Sequence, residues 1–139
     1  MTRVDFYISQ EAAPGTREQL ACRLAEKAYK LGHDVFIHTA SQQDAKRVDE
    51  LLWSFRDGSF VPHDVTHEAG PAKVSIGAGD EPTHTPHLLI NLAAEVPSYF
   101  SRFERVAEIV DGIEDNKAAG RERYKFYKDR GYELGTNNL

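Results

Sequence analysis

The sequence predicts an α/β layer fold with a largely parallel central sheet and helices on its faces. Two observations carry this. Short runs of β-branched and aromatic residues alternate with helix-period segments of about 10–15 residues, the pattern of strand–helix–strand units. The most apolar run, HLLINL at 87–92, lacks the alternation of a half-exposed strand and suits one buried on both faces. The length of 139 residues fits one domain spanning 1–139, and no internal repeat or linker divides it.

The elements follow in order. Val4–Ile8 (VDFYI) reads as the first strand. After the turn-like QEAAPG, Thr16 with Gln19 three residues on resembles a capping box that starts a helix. Leu20, Leu24, Ala28 and Leu31 then recur at helical spacing as its expected core stripe, and Gly32 ends it. Asp34–Thr39 is a second strand. Ser41 with Asp44 caps a second helix running to about Phe55, with Ala45, Val48, Leu52 and Phe55 as its stripe. Lys73–Ile76 is a short strand, and GAGDEPTHTP a loop before the 87–92 strand. Pro97-Ser98 is expected to open a third helix with stripe Phe100, Phe103, Ala107 and Val110. Glu114–Arg130 is a fourth helix, Gly131 its stop, and 131–139 a short C-terminal tail.

Composition narrows the function classes. Hydrophobic residues make up 40% and charged residues 28%, ordinary for a globular chain. The single cysteine, Cys22, permits no intramolecular disulfide. No run approaches the roughly 20 apolar residues of a membrane span, and the first residues carry no signal-peptide run, so the expected location is cytoplasmic, without a membrane partner. The net charge of −5 argues against broad nucleic-acid binding. The charge is uneven, however: residues 117–130 hold six cations and two acids, a basic island on an acidic chain.

Catalytic constellations are weak. The first strand-to-helix turn, SQEAAPGTREQ, lacks both G-x-G-x-x-G and G-x-x-x-x-G-K-[ST], so no nucleotide cofactor is expected. His63 with His67 and His84 with His87 have possible ligand spacings but lie in proline-containing loops, and no metal is expected there. Cys22 falls on the helix side away from the leucine stripe, without a base beside it; no catalytic role is assigned.

Two surfaces suit partners instead. Trp53 sits at the margin of the second helix's stripe, and Phe60-Val61-Pro62 follows in a turn-rich segment. Exposed aromatics so placed mark an interface, the alternative being that they fold inward over the core. On the last helix, Lys117, Arg121, Tyr124, Lys125 and Lys128 fall within about 100° of arc, with Ala119 and Phe126 on the expected core side. Cations around a tyrosine, with Ile113 nearby, suit an acidic peptide with an apolar end and a free carboxylate. A solvated basic face is the plainer reading of such a run.

The stretches RERYKFYKDRGYEL and VDELLWSFRDGSFVPHD, with VDFYIS and HLLINL, resemble the chi subunit of the bacterial DNA polymerase III holoenzyme over nearly the whole chain. The resemblance implies a single-domain Rossmann-like three-layer fold without a nucleotide and a non-catalytic accessory subunit of the clamp-loader complex. It implies binding of the acidic C-terminal tail of single-stranded DNA-binding protein at Ile113, Lys117, Arg121, Tyr124, Lys125 and Lys128. It also implies a psi subunit, or another protein, at Trp53, Phe60, Val61 and Pro62, with DNA contact indirect. The loop VDGIEDN is about one residue short of the family pattern. Gly120, inside the basic helix, costs up to about 1 kcal/mol against alanine and is expected to weaken it. A nucleotide- or metal-dependent α/β hydrolase is the alternative, and direct single-stranded DNA binding a third reading.

Overall fold

The computed structural model describes residues 2–55, 63–65 (backbone only), 74–79, 81–82 and 87–139. Seven strands form one sheet: β1 (Arg3–Ile8), β2 (Val35–His38), β3 (His63–Val65), β4 (Val74–Gly77), β5 (Leu88–Asn91), β6 (Arg105–Val110) and β7 (Glu133–Asn138). Their order is β3-β4-β2-β5-β6-β1-β7, and every pairing is parallel. Parallel neighbours require crossovers: α1 (Thr16–Lys30), α2 (Gln42–Ser54) and α3 (Glu114–Asp129) follow β1, β2 and β6, and the segment 92–104 joins β5 to β6. This is the expected α/β class and a Rossmann-like three-layer arrangement.

The two faces of the sheet carry separate apolar layers. Val35, Ile37, Val74, Ile76, Ile90, Ala107 and Ile109 meet α1 and α2. Val4, Phe6, Phe36, Leu89, Val106 and Val110 meet α3 and the aromatic segment 99–103. The period-2 alternation of side chains sorts each strand between the layers. Because both faces are covered, β2 (VFIH) and β5 (LLIN) show no alternation of apolar and polar residues. No helix among the described residues is long and apolar enough to cross a membrane.

Four expectations are corrected. Residues 97–110 form no α-helix: a short 3₁₀ turn at Phe100–Arg102 leads into β6, an interior strand between β5 and β1. Phe100, Phe103, Ala107 and Val110 imitate helical spacing, but Val106, Ile109 and Val110 are β-branched and all buried, as a doubly covered strand requires. The 131–139 tail forms β7, paired with β1 from Arg3↔Glu133 to Ile8↔Asn138. Thr16 is the first helical residue rather than a cap. The N-cap is Gly15, in the left-handed region, and the Thr16 hydroxyl donates back to the Ala13 carbonyl at 2.8 Å.

The fourth correction concerns the rotation of α1. It buries Ala21, Cys22, Ala25 and Ala28, while Leu20 and Leu24 are half-buried and Leu31 is 66% exposed. Small side chains let the helix backbone approach the sheet closely, and the leucines move to the rim, where Leu20 and Leu24 still pack against the core edge. Cys22 is therefore fully buried, and burial pushes its thiol up to about 12. By contrast, α2 behaves as expected: the Ser41 hydroxyl accepts from the Asp44 N–H at 3.1 Å, and Ala45, Val48 and Leu52 are buried.

Candidate partner-binding surfaces

The geometry of α3 decides what its basic face can present. Its first turn carries Glu114 and Asp115, its last turn Lys128, both favourable to the helix dipole. Asp111, just past β6, accepts from the Ile113 N–H at 3.1 Å and from Asn116 Nδ2 at 2.9 Å. Gly131, at φ +78°, ends the helix: its N–H reaches the Lys128 carbonyl and the Tyr132 N–H that of Tyr127.

The inner face of α3 is Gly120, Arg123 and Tyr127, not Ala119 and Phe126, which sit half-buried at its flanks. Gly120 meets Val110, whose methyl would lie 2.8 Å from any added Cβ. The glycine is thus a point of close approach between helix and sheet rather than a weakness.

Below it lies a buried polar cluster that the sequence reading missed. The Glu108 carboxylate, fully buried on β6, accepts from Arg123 Nε at 2.7 Å and from the Tyr127 hydroxyl at 2.7 Å. Asn91 Nδ2 on β5 reaches the same carboxylate at 3.0 Å, while Asn91 Oδ1 accepts from the Ala93 N–H. Arg123 also donates to the Ala94 carbonyl at 3.0 Å. Burial, with the neighbouring carboxylate, pushes the Tyr127 hydroxyl far above the ordinary phenol range, so it remains a donor. Each partner satisfies the others, which is the condition for a buried charge pair to be tolerated. The cluster fixes the rotation of α3 on β5 and β6. The sequence signal was an acid in the apolar run RVAEIV, with Arg123 and Tyr127 one helical turn apart.

That rotation sends the predicted residues outward. Arg121, Tyr124, Lys125 and Lys128 are exposed and Lys117 is half-exposed on the outer side of α3. Ile113, the half-buried N-cap, sits one turn before Lys117, whose N–H bonds its carbonyl. Lys117 pairs with Glu114 at 3.5 Å. Arg121, Lys125 and Lys128 form no ion pair among the described residues. The Tyr124 ring lies edge-on against Phe6, with centroids 5.2 Å apart, and remains 37% exposed. Contact with a core aromatic holds it in place beside those cations.

The second surface lies on the opposite face of the sheet. Trp53 is 51% exposed near the end of α2, the helix that packs over β3 and β4. Phe60, Val61 and Pro62 lie outside the described residues, as do His67, His84 and the His63 side chain. His87 stacks on His33 and its Nδ1 is 2.6 Å from Glu104. Among the described residues no three ligating side chains gather at one point.

Comparison with known proteins matches the whole arrangement to one family. Residues 1–135 match the family described as DNA polymerase III chi subunit, HolC. The chain is 42% identical over 139 residues to DNA polymerase III subunit chi of Pseudomonas aeruginosa, covering 100% of this chain and 98% of that protein. It is 34% identical to the subunit of the same name from Haemophilus influenzae, over 96% and 95% of the two chains. With that of Escherichia coli it shares 33% identity over 86% and 83%. The crystal structure of T4 UvsW shares the fold alone, with a TM-score of 0.66 and 12% identity; the match covers 99% of this chain and 42% of that one. Matched from end to end by relatives of one name, the chain belongs to the DNA polymerase III chi subunit family, accessory subunits of replication.

Proposed function

We propose that this chain is a non-catalytic adaptor that binds the acidic C-terminal tail of single-stranded DNA-binding protein on the outer face of α3. A psi subunit, or another protein, docks around Trp53 on the other side of the sheet. The observation that carries the first part is Tyr124: an exposed ring braced by Phe6 and flanked by Arg121, Lys125 and Lys128, none ion-paired among the described residues. Such a face offers an apolar contact for a terminal side chain and charge-assisted donors for carboxylates. Contact with DNA is then indirect, through the binding protein, consistent with a net charge of −5.

Calorimetric titration with a peptide of that tail tests the reading. Arg121→Glu is expected to lose about 1–3 kcal/mol of binding, roughly five- to 150-fold, with Trp53→Ala unchanged. Undiminished binding by Arg121→Glu, or loss confined to Trp53→Ala, contradicts it.

A further inference from the structure

The leucines that α1 places at the rim of the core also line a cleft apart from the α3 face. Leu20 and Leu24 form one wall of a cleft of about 820 Å³ above the C-terminal end of β1, with Tyr7 and Leu139 also lining it. Arg23 and Lys27, four residues apart and exposed, line the same side. Neither forms an ion pair among the described residues. Lys30, further along the helix, pairs with Glu26, so this helix does pair its lysines where a partner is in reach. Glu11 is the one acidic side chain in the lining. Leu139, which closes the far side, is 63% exposed, and its N–H is fixed to the Ile8 carbonyl at 2.8 Å.

We propose that this cleft between α1 and the β1–β7 end of the sheet docks a short acidic, leucine-containing peptide segment of a partner protein. Charge complementarity selects the occupant. Two unpaired cations beside an apolar lining, on a chain of net charge −5, call for carboxylates alternating with apolar side chains. The seven residue steps from Leu20 to Lys27 span about 10 Å, room for about three extended residues. The site is independent of the α3 face: α1 and α3 pack on opposite faces of the sheet. It also asks for no free C-terminus.

The probe is an acetylated, amidated tetrapeptide of alternating aspartate and leucine, followed by methyl NMR of the full chain. Saturable shifts are expected at Leu20, Leu24 and Leu139. The affinity should fall about tenfold in the double variant R23E/K27E, both exposed positions, and stay unchanged in Arg121→Glu. Three results would overturn the proposal: no saturable shift up to about 1 mM peptide, equal binding of a serine-for-aspartate peptide, or shifts that map to α3 instead.

Discussion

Replacing Gly120 with alanine sets two opposed effects against each other. In an exposed helix the change would stabilise by about 1 kcal/mol, because glycine carries the larger backbone entropy cost. At this position the new Cβ would lie 2.8 Å from one Val110 methyl and 3.3 Å from the other. Val110 is buried and β-branched, so its methyls cannot swing aside as the end of a long side chain would. Overpacking of this kind costs about 1–3 kcal/mol. The net expectation is a loss of about 1 kcal/mol, read as a lower urea midpoint at unchanged slope. A double-mutant cycle isolates the contact: in a Val110→Ala background the same glycine substitution should stabilise, since the clash is gone. If Gly120→Ala raises the midpoint equally in both backgrounds, the close approach of α3 to β6 is refuted.

The buried cluster predicts a larger effect. Arg123→Met leaves the Glu108 carboxylate buried without its cation and should cost about 3–5 kcal/mol in urea unfolding, most of it recovered when Glu108→Met is added. Cys22 should react with a thiol reagent only as fast as the protein opens; rapid labelling of the native state at neutral pH would contradict its burial and raised pKa. His38, buried with Nδ1 2.8 Å from the Tyr99 hydroxyl, has its pKa lowered by desolvation. Below its ordinary value of about 6.5 the unfolded chain therefore binds the proton more readily. Its contribution is complete above that pH and is lost as pH falls toward the lower folded pKa. The pH dependence of the urea midpoint in this window should flatten in His38→Gln.

Much of the fold is legible in the sequence, and the failures share a cause. β1, β2 and β4 announce themselves through short clusters of β-branched and aromatic residues, β5 through its apolar run, and α2 through its Ser41 cap and a stripe that faces the core. β6 hides because burial on both faces erases its alternation, leaving Phe100, Phe103, Ala107 and Val110 to imitate a helix. β7 hides because an edge strand of glycine, threonine and asparagine looks like a tail. The rotation of α1 is invisible to a rule that seats the largest apolar residues in the core, since here alanine and cysteine allow the close approach. The basic face of α3 is legible as a row of cations. What holds that row outward is not, because Glu108, Arg123 and Tyr127 are polar residues that satisfy one another inside the protein. Gly120 reads as a weak point until Val110 is seen against it.

The central claim is that the exposed face of α3 around Tyr124 reads an acidic tail by its end. The most direct measurement titrates the chain with two peptides of the single-stranded DNA-binding protein tail, one intact and one lacking its last residue, while following α3 by NMR. The intact peptide is expected to shift Arg121, Tyr124 and Lys125, and the shortened one to bind at least about tenfold more weakly. Equal binding of both peptides, or shifts centred on Trp53, would contradict it.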